Sequence, residues 1–228
     1  MPLNSIYPTN KKQKWIALWY AIKKIMISIT FLLLSTSYIN GQSESRFKGG
    51  VHAGINLSQI SGDQLSGFHK MGAYLGLFAN VPINKEQSWK VQMELNFTMK
   101  GSKTHTPPRS NATLPKNIYK LNLYYAEIPI LFKYVALRGI ELEVGPALGY
   151  LFSHKETENG DPIIGRPSFS NFDFSGMIGA TFCFKEHYGL SIRYSNSIIP
   201  IRTPNWVINQ WVKKQLNSCI IVSINYQF

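Results

Sequence analysis

Charged side chains of both signs lie on one face of several segments in which polar and apolar residues alternate. Residues 89–100 read WKVQMELNFTMK, where every odd position is apolar and every even position is polar. A period of two places alternate side chains on opposite faces of a β-strand, so Lys90, Glu94 and Lys100 share one face. The same parity in other segments adds further charges to that face: Lys48, Glu141, Glu143, Asp173 and Arg193, with Glu127 expected to join them.

Charges gathered inside a narrow fold are expected to pair with one another. Leaving one partner of a buried ion pair uncompensated costs about 3–5 kcal/mol. We therefore predict that the inward charges form a structural salt-bridge network that fills the interior. The competing interpretation is a functional path for protons or ions. A structural role predicts that neutralising Arg193 lowers the unfolding temperature, whereas a path predicts altered ion conductance at unchanged stability.

The sequence carries no motif of a known catalytic or cofactor site. It has no G-x-S-x-G, H-E-x-x-H, G-x-G-x-x-G or Walker-type loop. The five histidines, at positions 52, 69, 105, 154 and 187, fall in separate segments without metal-ligand spacing. We expect no metal, no cofactor and no enzymatic activity. An enzyme that modifies lipids is the alternative, because a Ser/His/acid site is defined by spatial geometry rather than by sequence order.

The two cysteines, Cys183 and Cys219, are expected to be free thiols. They fall on the sixth and the eighth predicted strand with the same inward parity. Two strand spacings separate them by roughly 9–10 Å, which exceeds the ~7 Å limit between the Cα atoms of an unstrained disulfide.

The alternation recurs along most of the chain and predicts eight strands without a long helix. A soluble β-sandwich also alternates, but here the predicted connections differ in length in a regular order. Connections 59–67, 101–118, 153–171 and 198–215 are long, and connections 82–87, 135–138 and 185–187 are short. Aromatic residues also concentrate near strand ends, as in the girdles of membrane barrels. The fold class predicted is all-β: an eight-stranded antiparallel transmembrane β-barrel with up-and-down meander topology, its lumen filled by polar side chains.

A proline within the fourth predicted strand indicates an irregularity in the sheet. Proline has no N–H to donate to a neighbouring strand, so in a fully paired barrel it marks a break or a bulge. Folding the hairpin about Leu137 places Pro129 opposite Gly145, beside Pro146. We predict a local break there, and an extra residue near 124–126 where the apolar parity shifts.

The N-terminal segment has the organisation of a secretory signal peptide. Residues 1–24 contain five lysines and no acid, and the apolar stretch 25–39 and Asn40-Gly41 follow. We predict cleavage after Gly41, which divides the chain into a signal peptide (1–41) and a barrel domain (42–228). The whole chain has 24 Lys+Arg against 12 Asp+Glu, and removing the five leader lysines leaves 19 against 12. Nucleic acid is therefore not an expected partner.

The chain resembles the PorT-type outer-membrane β-barrel family of Gram-negative bacteria. The matching segments are GGVHAGINLS (49–58), GAYLGLFANVPI (72–83), WKVQMELNFTMKG (89–101), LNLYYAEIPILFKY (121–134), VGPALGYLF (144–152), DFSGMIGATFCF (173–184), LSIRYS (190–195) and the terminal Phe228. The resemblance implies a barrel fold and integration into the cell outer membrane. It also implies that Phe228 is the end that the barrel-assembly machinery recognises.

A barrel of this kind is expected to act through its surface rather than through chemistry. We predict a structural or surface-interaction role, with a narrow small-solute channel as the alternative. Outer-membrane lipid is the expected surrounding, and the basic loop 101–118 is expected to meet lipopolysaccharide. Loops 101–118, 153–171 and 198–215 are candidate sites for a protein partner. In the last of these, Thr203-Pro204 could begin a short helix that carries Val207 and Trp211.

Overall fold

The computed structural model describes residues 47–62, 67–104, 118–163, 167–202 and 214–228. The predicted signal peptide and the predicted short helix after Thr203 lie outside these ranges, as does most of loop 101–118. No helix in the described ranges has the length and apolar character needed to cross a membrane.

The described chain is built from β-strands. They are β1 (Lys48–Ser61), β2 (Lys70–Pro82), β3 (Trp89–Lys103), β4 (Tyr119–Leu137), β5 (Ile140–Glu158), β6 (Asp161–Pro162), β7 (Phe172–Cys183), β8 (Tyr188–Ser197) and β9 (Leu216–Gln227). All pairings are antiparallel, β1 pairs with β9, and β4 pairs with β5, so eight strands close into a barrel. The two-residue β6 only extends the tip of β5. The predicted eight-stranded antiparallel barrel with up-and-down topology is confirmed.

The connections alternate in length as predicted. Short turns span residues 83–88, 138–139 and 184–187, whereas the long connections span 62–69, 104–118, 163–171 and 198–215. We call the two ends of the barrel the short-turn end and the long-loop end. The backbone N–H of Phe228 donates to the carbonyl of Gly49 at 2.9 Å. The start of β1 and the end of β9 therefore meet at the short-turn end.

The alternating side chains separate an apolar outer wall from a polar interior. Trp89, Leu95 and Ile178 on the outside are 48%, 56% and 60% exposed. In water such a continuous apolar surface is unfavourable, whereas lipid hydrocarbon accommodates it. Closure of the sheet also pairs the backbone groups that an open edge would leave unsatisfied in hydrocarbon.

The predicted break at Pro129 is confirmed, but its position in the hairpin differs. Pairing of β4 with β5 is interrupted between Pro129 and Phe132 and resumes in unchanged register. Pro129 lies opposite Ala147 rather than Gly145, because β4 runs to Leu137 and the turn is centred on residues 138–139.

The prediction of an extra residue near 124–126 of β4 is wrong, because the additional residue lies on the neighbouring strand β5. The register of β4 and β5 shifts between Tyr124, which pairs with Ser153, and Tyr125, which pairs with Leu151. Phe152 is therefore the additional residue, and the bulge lies in β5. The inward parity of β4 itself runs unbroken through Leu121 and Leu123, so these leucines face the lumen instead of the lipid.

Candidate functional site

The lumen is filled by side chains in successive levels, and an arginine occupies its centre. Arg193 on β8 is 2% exposed and contacts groups on three other strands. Its Nε donates to Glu143 on β5, its Nη1 donates to Glu94 on β3 at 2.9 Å, and Nη1 also donates to the hydroxyl of Tyr74 on β2 at 3.1 Å. One guanidinium, with its donors fixed in one plane, thus joins four strands across the barrel.

The charge network continues from Glu143 toward the short-turn end. The ammonium of Lys133 lies 3.2 Å from Glu143 and 3.3 Å from Glu141. Lys90 pairs with the other oxygen of Glu141 at 2.5 Å. Acids and bases therefore alternate along the network, and no carboxylate in this part of it lacks a cationic neighbour.

A second charge cluster lies on the long-loop side of Arg193. Lys100 is 1% exposed and its ammonium lies 2.5 Å from Glu127 and 3.1 Å from Asp173. Asp173 also accepts hydrogen bonds from Ser197 at 2.6 Å and from Asn217 at 2.9 Å. This cluster holds two carboxylates for one ammonium, and Asp173 is the carboxylate with additional hydrogen-bond donors.

Neutral polar groups connect the levels of the lumen. His52 shares a hydrogen bond of 2.9 Å with the side chain of Asn96 and stacks on Tyr74 with ring centroids 5.0 Å apart. Asn96 in turn donates to Tyr74 at 2.6 Å and to Glu94 at 2.8 Å. The groups hold each other in fixed orientations, which is the geometry of a structural network.

The lumen is not polar throughout, and this corrects the prediction. At the long-loop end seven buried apolar residues form a cluster that spans the interior: Ile60, Leu121, Leu123, Tyr125, Leu151, Phe169 and Ile201. We call this cluster the apolar plug. It arises because β4 places leucines at inward positions and because Phe169 and Ile201 enter from the connections before β7 and after β8.

An ion pair fixes the loop residues over the apolar plug. Arg202 pairs with Glu156 at 2.8 Å and lies over the ring of Phe169, 3.7 Å from its centroid. Glu156 also accepts a hydrogen bond of 2.7 Å from the hydroxyl of Tyr119. Two loops and the tip of β5 are therefore tied together above the plug.

The structure brings most of the charges predicted from parity into the lumen. Those within the network are Lys90, Glu94, Lys100, Glu127, Glu141, Glu143, Asp173 and Arg193. Lys48 is the exception, because it is the first residue of β1 and is exposed at the short-turn end. Three further residues form buried ion pairs that were not predicted from the sequence: Lys133, Glu156 and Arg202. Lys133 lies six residues after Glu127 on the same strand. Because residues an even number apart on a strand share a face, the inward position of Glu127 predicts an inward Lys133.

Cys183 and Cys219 are free, as predicted. Within the described ranges, no group of three His, Cys, Asp or Glu side chains has the geometry to hold a metal ion.

The closed barrel, its apolar wall and its filled lumen define a membrane-spanning β-barrel protein. A family model described as "Outer membrane protein beta-barrel domain" matches residues 40–202. The chain belongs to this family, which places it in the outer membrane. No curated protein sequence matches the chain.

Solved structures of small outer-membrane barrels are similar to the chain in fold. Ail of Yersinia pestis, in complex with the heparin analogue sucrose octasulfate, is 12% identical with a TM-score of 0.46, over 80% of this chain and 99% of that one. Neisserial surface protein A is 15% identical with a TM-score of 0.46, over 81% and 98%. OprG of Pseudomonas aeruginosa is 11% identical with a TM-score of 0.36, over 80% and 94%.

Proposed function

We propose that this protein is a non-conducting outer-membrane barrel whose role is structural or interactive rather than transport or catalysis. The observation that carries the proposal is the filling of the lumen at two levels. The network around Arg193 and Lys100 occupies the middle, and the apolar plug closes the long-loop end. A solute crossing the barrel would have to displace paired charges and packed apolar side chains together.

Planar-bilayer recording tests this proposal directly. The purified, refolded chain is added to a neutral-lipid bilayer, and its insertion is verified by the heat-dependent gel mobility of a folded barrel. We expect no regular conductance steps above the bare bilayer, because among the described residues the apolar plug occupies the interior at the long-loop end. Regular steps from folded protein would overturn the proposal and favour the narrow small-solute channel.

The contacts that such a barrel makes are assigned to its two ends. The long-loop end, with loops 101–118, 153–171 and 198–215, is the face for outer-membrane lipid, lipopolysaccharide or a protein partner. At the opposite end Phe228 is 69% exposed and its ring lies 5.7 Å from that of Tyr226. This exposure supports its assignment as the end that the barrel-assembly machinery recognises.

The proposal extends to export and to the branch of the family. Residues 1–41 are assigned as a cleaved signal peptide, on the basis of their lysines and apolar run. The segment LNLYYAEIPILFKY (121–134) supports membership of the PorT-type branch. N-terminal sequencing of the protein from purified outer membranes tests the export assignment, and a mature chain that begins at residue 42 is the expected result.

A further inference from the structure

Three lysines form a row on the outer wall near the long-loop end. They are Lys103 at the end of β3, Lys120 at the start of β4 and Lys155 near the end of β5. All three are exposed. Lys103 and Lys120 are direct cross-strand partners, and Lys155 pairs with Asn122, two residues further along β4. The row therefore crosses three neighbouring strands.

The charges of this row have no compensating carboxylate on the strands that the structure describes. Like charges directly opposite each other on neighbouring strands are destabilising, since their Cβ atoms lie about 4.5–5.5 Å apart. Among the described residues, no ion pair joins any of the three lysines to a carboxylate. The nearest acid along β5, Glu156, points to the opposite face, where it pairs with Arg202. An anion from outside would relieve this repulsion.

An aromatic cluster lies on the same wall, directly below the lysines. Phe97, Tyr124 and Phe152 belong to the same three strands, and their ring centroids are 6.0 to 6.5 Å apart. Tyr124 is two residues from the level of Lys155 and four from that of Lys120, which corresponds to roughly 7 and 14 Å along a strand. The lysines lie nearer the long-loop end than the rings. This order matches that of a membrane lipid, whose phosphorylated headgroup lies outside its acyl chains.

We propose that this patch binds a phosphate-bearing lipid of the membrane leaflet at the long-loop end. The lysines contact the phosphates, and the three rings pack against the acyl chains. The inference rests on the proposed function, because it requires the barrel to span a membrane with this wall facing lipid. A soluble polyanion would satisfy the lysines, but it would leave the adjacent rings without an apolar partner.

Binding of lipid A to the full barrel in phosphatidylcholine nanodiscs tests the proposal. Native mass spectrometry or fluorescence of labelled lipid measures the affinity for bis-phosphorylated lipid A present as a small fraction of the lipid. We expect K103Q/K120Q/K155Q to lower this affinity on the order of 100-fold, since each basic residue at a membrane surface contributes about a factor of five and three of them are removed. The matched control K85Q/R138Q/K185Q removes the same charge from exposed short turns and is expected to leave the affinity unchanged.

Further arms separate the chemical sources of binding. Dephosphorylated lipid A should bind the wild type as weakly as it binds the triple lysine variant, because the lysines then have no phosphate to contact. Inorganic pyrophosphate should bind the wild type weakly because it lacks acyl chains. Equal affinity of the lysine variant and the wild type would overturn the proposal, as would an equal loss in the control variant. Pyrophosphate binding as tight as lipid A binding would overturn the lipid assignment. Channel activity of the wild type would contradict the proposed closed lumen without altering the outcome of these binding measurements.

Discussion

Lys100 on β3 and Asp173 on β7 lie 3.1 Å apart inside the lumen, although 73 residues separate them in the chain. The same ammonium contacts Glu127 on β4 at 2.5 Å. One buried cation therefore holds two carboxylates, one on the adjacent strand β4 and one on β7, which does not pair with β3. Removing the cation and removing one of the carboxylates should have unequal consequences.

Lys100→Met is expected to destabilise the barrel strongly. It leaves Glu127 and Asp173 buried without their cation, and an uncompensated buried charge costs about 3–5 kcal/mol. Glu127→Gln should cost about 1 kcal/mol or less, because Lys100 keeps Asp173 as its partner and no buried charge is left without a counterion. Urea unfolding of the two variants in vesicles, followed by tryptophan fluorescence, measures both values. Equal destabilisation would contradict the assigned roles.

Arg193→Met should lower the unfolding temperature because it leaves Glu94 and Glu143 without the guanidinium that joins them. The expected loss is again about 3–5 kcal/mol. Arg138→Met, in an exposed short turn, removes the same charge and serves as the control with little effect. Thermal gel-mobility shifts and bilayer conductance are measured on the same samples. Unchanged stability together with a new conductance would instead indicate an ion path.

Gly76→Ala should disturb the lumen, whereas Gly176→Ala should be tolerated. A Cβ at position 76 would lie 2.0 Å from the side-chain oxygen of Asn96 and 2.5 Å from Nε2 of His52. Overpacking of this kind costs roughly 1–3 kcal/mol. At position 176 the nearest atom is 3.8 Å away on Ile198, so the effect should stay within about 0.5 kcal/mol. Urea midpoints of the two alanine variants test the difference.

Deletion of Phe228 should reduce the amount of protein in the outer membrane. The exposed terminal ring is available for recognition, while its N–H contributes a single hydrogen bond to Gly49. Phe228→Tyr keeps an aromatic end and should assemble normally. Quantification of folded protein in outer-membrane fractions compares the two. Wild-type levels after the deletion would show that Phe228 is not the assembly signal.

The strands and the charged face could be predicted from the sequence because both depend on a local period of two. Lys90, Glu94 and Lys100 share parity within one segment, and the side-chain geometry of a strand then places them together. Lys133 was missed because its segment combines Pro129 with leucines at inward positions, which obscured the parity. Lys48 was assigned inward by the same rule, but parity does not show where a strand reaches the end of the barrel.

The apolar plug could not be predicted from any single segment. Leu121 and Leu123 read as lipid-facing residues, and Phe169 and Ile201 lie in connections whose paths depend on the closed barrel. A leucine satisfies hydrocarbon or a dry interior equally well, so its own chemistry does not decide between them. Whether such a leucine faces the lipid or the lumen is decided by the residues that it contacts in the folded barrel.

The sequence by itself determined that this protein is an alternating, eight-stranded barrel with short and long connections in regular order. The period of two, the turn residues and the shared face of the charges depend on residues close together in the chain, so they can be recognised without knowing which strands pair. The tertiary structure alone decided which charge meets which, that Phe152 is the bulged residue, and that the lumen ends in an apolar plug. These depend on strand register and closure, which set the distances between side chains far apart in the chain.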